Sequence, residues 1–185
     1  MRIIAGEMRG RLLKAVEGMQ TRPTSDKVKG AIFNVLGDRV LDARVLDLFA
    51  GTGNLAIEAI SRGSREAVLV EKNFDAHRVI RENIERIGVG DKANLLLMDA
   101  FRYLNRYPEE VFNLIFLDPP YHKELVAKVI LTLKEHPAYL APSGVIVAET
   151  AKDEELLNSD IYPFEIRKTG VYGDTLVWYL QRTAN

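Results

Sequence analysis

Between residues 45 and 149 this chain alternates short apolar runs with helical stretches, and that alternation limits its fold more than any other feature. Val45–Phe49 (broken only by Asp47), Ala67–Val70, Asn94–Met98, Asn113–Leu117 and Gly144–Ala148 are nearly continuous in apolar residues. Helical patterns separate them at Leu55–Ser61, Phe74–Ile87 (closing at Gly88), about Phe101–Arg106 and Leu125–Glu135. Strands with no polar alternation are covered on both faces, and strands joined through helices run parallel. The pattern therefore predicts an α/β chain with five parallel strands. A short helix is predicted to begin over Glu154–Leu157. Beyond it, Phe164–Val171 and Thr175–Leu180 are two β runs meeting at Tyr172-Gly173-Asp174, which predicts an antiparallel hairpin.

The region before residue 45 is different. Arg2–Ala5 and Arg11–Val16 are β-type runs around a Gly6–Gly10 turn, so an N-terminal hairpin is expected over residues 1–20, with the main domain at 21–185. Thr21-Arg22-Pro23-Thr24-Ser25-Asp26 looks like a helix start. Thr24 or Ser25 can cap it, and Asp26 sits where the helix dipole favours an anion. Val28, Ile32, Val35 and Leu36 then share one helical face, Gly37 ends the helix, and Lys27 and Lys29 are assigned to a solvated face. Residues 1–40 hold eight Lys and Arg against four Asp and Glu, a net +4 on a chain whose total is −1. A basic arm on an acidic body fits a polyanion partner as well as a lysine-rich edge that resists aggregation.

Composition excludes several chemistries. With 185 residues, 47% of them hydrophobic, the chain can form a full core. It has no cysteine, hence no disulfide, thiolate zinc site or cysteine nucleophile. Its three histidines lack metal-binding spacing, so no metal is expected. The longest apolar runs are about six residues, against roughly 20 needed to span a bilayer. Charge interrupts the N-terminus too early for a signal peptide. A cytoplasmic protein without membrane contact is expected, acting as a monomer.

Asp47, Glu71, Asp99 and Asp118 sit at or near the ends of predicted strands, the edge where open α/β sheets bind ligands. Each could be a helix cap, but four on one edge describe a cleft lined with acceptors. The turn Asp47-Leu48-Phe49-Ala50-Gly51-Thr52-Gly53-Asn54-Leu55-Ala56 satisfies the dinucleotide pattern through Gly51, Gly53 and Ala56. Glu71, twenty residues after Gly51, fits the carboxylate that binds both hydroxyls of a ribose. Together these indicate an adenosine-type ligand, either NAD or S-adenosylmethionine. Asp118-Pro119-Pro120-Tyr121 decides between them. Two prolines fix the backbone, and the unit offers a carboxylate, a free carbonyl and an aromatic face. An exocyclic amine on a flat base has the matching donors and π-face.

These residues resemble the class I S-adenosylmethionine-dependent methyltransferases: Asp47–Gly53 their first motif, Asp118–Tyr121 their amino-methylating motif. The resemblance implies a Rossmann-like seven-stranded sheet of order 3-2-1-4-5-7-6, five parallel strands plus the C-terminal antiparallel hairpin, here with an N-terminal β-hairpin extension. The N-terminal segments Met1–Gly6 and Gly10–Leu13, Thr21-Arg22-Pro23-Thr24, Phe33-Asn34-Val35-Leu36, Ile57-Glu58-Ala59, Ser61-Arg62-Gly63 and Tyr172-Gly173-Asp174 are similar to the RsmD family. That family methylates the N2 amine of a guanine in small-subunit (16S) ribosomal RNA. The chain departs from its pattern at Thr52, Asn54 and Ala56.

The resemblance implies S-adenosyl-L-methionine as cofactor, and 16S rRNA or a small-subunit assembly intermediate as partner. Phe49, Ala50, Gly51, Thr52 and Gly53 are expected under the methionine end, beside Asp47. Glu71 is expected at the ribose, Lys72 beside the adenine, Asp99 at the adenine amine and the Ala100 N–H at a ring nitrogen. Arg22 and Thr24 are expected to close the methionine-carboxylate side. Tyr121 would stack on an unstacked guanine, with Asp118 and the Pro119 carbonyl holding N2 beside Pro120. Arg2, Arg9, Arg11, Lys14 and Arg22 would meet RNA phosphates, and His122 is read as a surface histidine. An N6-adenine methyltransferase uses the same amine-binding motif. An NAD-dependent dehydrogenase would have no use for it, and a non-catalytic RNA-binding domain would not need the acidic set.

Overall fold

The computed structural model describes residues 1–16, 24–106, 110–121, 124–154, 156 and 161–183. Its strands are β1 (Arg44–Asp47), β2 (Glu66–Glu71), β3 (Ala93–Leu97), β4 (Phe112–Leu117), β5 (Leu140–Ala151), β6 (Phe164–Tyr172) and β7 (Thr175–Arg182). Its helices are α1 (Asp26–Leu36), α2 (Asn54–Ser61), α3 (Phe74–Ile87), α4 (Ala100–Arg106) and α5 (Leu125–Glu135). One sheet contains every strand, in the order β3-β2-β1-β4-β5-β7-β6. β3, β2, β1, β4 and β5 are parallel, and the β6–β7 hairpin closes the edge antiparallel. The seven-stranded order that the resemblance implies is the order observed.

Alternate residues of the central strands serve opposite layers. Val45, Leu114, Phe116 and Val147 face α1, α2 and α3. Leu46, Ile115, Leu117 and Ile146 face α4 and α5. Burial on both faces explains why these strands lack polar alternation. Capping follows local chemistry. Ser25 caps α1 by accepting from the Val28 amide, and Asn73 caps α3 by accepting from the Ala76 amide at 2.9 Å. Gly88 ends α3 in the left-handed conformation. The predicted short helix at Glu154–Leu157 lies partly outside the described residues.

At the N-terminus the hairpin is shorter than expected and the reading of Lys29 is corrected. The expected hairpin is present but short: Arg2 and Leu12 form an antiparallel bridge, and the Ile3, Gly10 and Leu13 amides donate across it to the Arg11, Ile3 and Met1 carbonyls at 2.9, 2.8 and 3.1 Å. Its ladder stops because the Ile4 and Ala5 amides donate instead to the Glu58 carboxylate, at 2.9 and 3.0 Å. The short hairpin thus docks on α2, whose Glu58 takes up the amides beyond its last cross-strand bond. Gly6 packs so tightly there that a Cβ would stand 1.8 Å from the Ser61 carbonyl oxygen. Lys29 is not solvated. It is fully buried, 3.1 Å from Glu58 and donating to the Arg2 carbonyl and to Asn54 Oδ1 at 2.7 and 2.6 Å. Helical periodicity puts Lys29 one position from Val28, and only the docking of the N-terminal segment turns that side inward.

Candidate active site

The strand order reverses at β1, which has β2 on one side and β4 on the other. A crevice opens beyond the carboxyl ends of strands at such a point. Pairing of Leu117 with Ala148 places Asp118 and Glu149 side by side, one residue farther along β4 and β5. Asp47 ends β1 and Glu71 ends β2. Four carboxyl groups thus converge on one edge from four adjacent strands.

The glycine turn closes against this edge. Gly51 has a φ of +57°, and a Cβ there would meet nothing nearer than the Phe49 carbonyl oxygen at 3.9 Å. The turn therefore offers bare backbone to open space, where a ligand can approach closely. The Gly51 amide donates to Glu71 Oε2 at 2.9 Å, and the Asn73 amide to Glu71 Oε1 at 2.8 Å. Glu71 is held by two backbone bonds that leave lone pairs for further donors. Behind the turn, Asn83 Nδ2 donates to the Thr52 carbonyl at 2.9 Å and to the Lys14 carbonyl at 3.1 Å. Asp99 caps α4, accepting from the Phe101 amide at 2.9 Å, while its other oxygen lies 3.9 Å from Lys72 Nζ. Ala100 is the first residue of α4, buried directly after this cap.

The second half of the cleft is built around Thr24. Its Oγ1 lies 2.7 Å from Asp118 Oδ2 and 3.1 Å from Glu149 Oε1. Burial pushes the Asp118 carboxyl up to about 6, with the Thr24 hydrogen bond opposing. Burial also raises Glu149 well above the usual carboxylate range, and the nearby Asp118 charge adds to it. Asp47 is raised to about 8 by burial and then by Asp118, against hydrogen bonds from the Phe49 and Ala56 amides. Its Oδ1 is buried without a partner among the described residues. Pro119 is buried and Pro120 exposed behind Asp118. The Tyr121 hydroxyl shares a 2.8 Å hydrogen bond with Thr175 Oγ1 of β7. Burial pushes that phenol up to about 12, so it is neutral.

With this geometry described, similarity to known proteins decides the family. A family model described as "Conserved hypothetical protein 95" matches residues 1–181. The chain belongs to that family, the RsmD methyltransferases. It is 44% identical over 158 residues to YlbH of Bacillus subtilis, covering 84% of this chain and 85% of that protein. It is 32% identical over 171 residues to Ribosomal RNA small subunit methyltransferase D of Haemophilus influenzae, covering 91% and 88%. The solved structure of Escherichia coli yhhF superposes with a TM-score of 0.88 at 30% identity, covering 100% and 99%.

Family membership accounts for the sheet and both motifs, while the structure distributes the other candidates. Thr24, expected beside a methionine carboxylate, has its hydroxyl on Asp118 and Glu149. Arg22 and His122 lie outside the described residues. Arg2 pairs with Asp26 at 3.3 Å and Lys14 with Glu82 at 2.6 Å, both on the surface. Arg11 caps the end of α3, donating to the Ile87 and Arg86 carbonyls at 2.7 and 2.5 Å. Arg9 is exposed and unpaired among the described residues. No helix among them is long and apolar enough to cross a membrane, and no cluster of three or more metal-ligating side chains is found there.

Sequence reasoning missed Glu149, the residue that follows the expected Gly144–Ala148 strand, and the role of Asn54. Asn54 Oδ1 accepts from Lys29, and its Nδ2 donates to the Thr24 carbonyl at 3.2 Å. Lys29 and Asn54 lie 25 residues apart on different helices, so no local pattern could have signalled their contact.

The three raised carboxyls have a consequence for stability. Each binds a proton more tightly folded than unfolded. The stabilisation is complete below about pH 4 and falls as pH rises toward the folded values, up to about 8 for Asp47. The melting temperature of the ligand-free protein should fall between pH 5 and 8. Asp47→Asn should flatten that slope, as read by calorimetric scans at several pH values.

Proposed function

We propose that this chain transfers a methyl group from S-adenosyl-L-methionine to the exocyclic N2 amine of a guanine in small-subunit (16S) ribosomal RNA. The observation that carries the reading is the placement of Asp118-Pro119-Pro120-Tyr121 across the edge from an open glycine turn. The nearly full-length similarity to a protein named for small-subunit rRNA methylation supports it. Such a substrate puts the chain in the cytoplasm.

The cleft fits the cofactor in its donor set. Glu71 would offer lone pairs to vicinal hydroxyls, and the free oxygen of Asp99, beside Lys72, would accept from the adenine amine, with the Ala100 N–H at a ring nitrogen. The backbone of Phe49, Ala50, Gly51, Thr52 and Gly53 would hold the methionine end, near Asp47. When bound, the sulfonium supplies an activated methyl group. The chain's own contribution is placement. Asp118 and the Pro119 carbonyl accept from the amine and orient its lone pair, and Tyr121, tethered by Thr175, stacks on the base. The work is positioning plus preset electrostatics. No metal and no covalent enzyme intermediate is required. The amine held by Asp118 and the Pro119 carbonyl would take the sulfur-bound methyl group, and the methylated amine would release its extra proton.

RNA phosphates are expected along the N-terminal face. Arg9 is available outright. Arg2 and Lys14 can exchange weak surface ion pairs for phosphates, and Arg11 lies beside them. Glu71→Ala should weaken S-adenosylhomocysteine binding about 10- to 100-fold by calorimetry, the range for losing hydrogen bonds to a charged group. The deciding assay is tritiated methyl transfer to undermethylated 16S rRNA and to assembled small subunits, with the product base mapped. Label on guanine N2 supports the reading. Label on adenine N6, or calorimetric binding of NADH in place of S-adenosylhomocysteine, overturns it.

A further inference from the structure

One hydroxyl group lies between two carboxyl groups in the cleft, and it cannot serve both as anions. Thr24 Oγ1 is 2.7 Å from Asp118 Oδ2 and 3.1 Å from Glu149 Oε1. A threonine hydroxyl has a single proton to donate and lone pairs to accept with. Two oxygens both bonded to one atom are within about 6 Å of each other, a separation at which like-charged carboxylates strongly raise one another's affinity for a proton. Two hydrogen bonds at these distances therefore need a second proton, carried by one of the carboxyls.

Burial decides which one. Glu149 is 3% exposed, whereas Asp118 keeps a solvent-accessible side. The groups facing Glu149 do little to favour its charge. Asp47 comes from β1 and Asp118 from the end of β4, both acidic. Tyr179 of β7 and Tyr121 both feel the Glu149 charge. The Tyr179 hydroxyl is buried and makes no hydrogen bond among the described residues. Thr24, from the segment before α1, is the neighbour that bonds it.

We infer that Glu149 is a proton-bearing positioning residue: its neutral carboxyl donates to Thr24 Oγ1, so that the Thr24 hydroxyl proton is directed at Asp118 Oδ2. This orders the chain Glu149, Thr24, Asp118 in one direction. Asp118 remains the ionised acceptor with one oxygen engaged, and Oδ1 is left for the substrate amine. A raised affinity of Glu149 for its proton agrees with the geometry. The inference rests on the proposed amine methylation for its consequence, though not for the location of the proton.

The two layers are tested separately. Carbon-detected NMR titration of side-chain carboxyls in the ligand-free protein should find Glu149 protonated at pH 7. In methyl transfer to undermethylated 16S rRNA, Glu149→Ala and Thr24→Val should each lower kcat about 10- to 100-fold, the range for hydrogen bonds to a charged partner. Glu149→Gln, which keeps a neutral donor at the same place, should recover most of the loss, and Thr24→Ser should do the same. A Glu149 carboxyl that titrates in the ordinary range, or a Glu149→Gln variant as impaired as Glu149→Ala, overturns the inference. If Glu149 is protonated at pH 7 but the wild-type protein methylates no RNA, the functional reading fails and the proton assignment survives.

Discussion

Asp118→Ala should lower methyl transfer to undermethylated 16S rRNA by about 100-fold or more, while S-adenosylhomocysteine binds about as well as to the wild type. The size follows from removing a preset charged acceptor in a partly water-excluded site, a class of change that costs about 10²–10³ in rate. The split follows from geometry. Asp118 lies at the end of β4, across the edge from Glu71 and Gly51, which are proposed to meet the ribose and the methionine end. Losing its carboxylate also removes the negative charge that raises Asp47 and Glu149. The variant should therefore be no less stable than the wild type at pH 8, so that lost activity cannot be mistaken for unfolding. Single-turnover transfer together with calorimetry checks both halves. Wild-type transfer by Asp118→Ala would remove Asp118 from the mechanism.

Glu58→Ala should destabilise the protein by about 3–5 kcal/mol, the range for deleting one partner of a buried ion pair. Lys29 and Glu58 are both fully inaccessible at 3.1 Å. Glu58 also accepts from Arg62 Nε at 2.8 Å and from the Ile4 and Ala5 amides. Its loss leaves a buried ammonium with only neutral acceptors and frees two backbone donors. For a chain of this length the melting temperature should drop by roughly 6–20 °C. Hydrogen exchange at Ile4 and Ala5 should rise first, because those amides lose their acceptors. A melting temperature unchanged by the substitution would show that the N-terminal hairpin is held by other contacts. Because Lys29 also holds Asn54, and Asn54 holds the Thr24 carbonyl, this hairpin is joined through buried hydrogen bonds to the Asp118 side of the cleft.

Much of this was legible before any tertiary contact was known, for reasons of period and local chemistry. Phe74–Ile87 and Leu125–Glu135 match their observed helices because apolar spacing of 3.6 and a terminal glycine or break are properties of the segment itself. The central strands were readable as buried because their neighbours on both faces are helices of the same chain, whereas β3, equally apolar, lies at the sheet edge with Asn94 and Leu97 exposed. Their ends shifted by a residue or more, and β5 extends back to Leu140, because pairing with β4 and β7 sets strand length. The sequence shows the charge of Arg11 but not the helix end that takes up its donors.

The sequence by itself determined the layered α/β architecture, the acidic edge and the two motifs, since each depends on residues close together in the chain. The tertiary structure alone decided that Lys29 is buried, that Thr24 bridges Asp118 and Glu149, and that the N-terminal hairpin docks on α2 through Glu58. Those facts depend on groups 25 to 125 positions apart. At such separations the burial that gives a charge its partner, or a carboxyl its proton, exists only after the layers have closed.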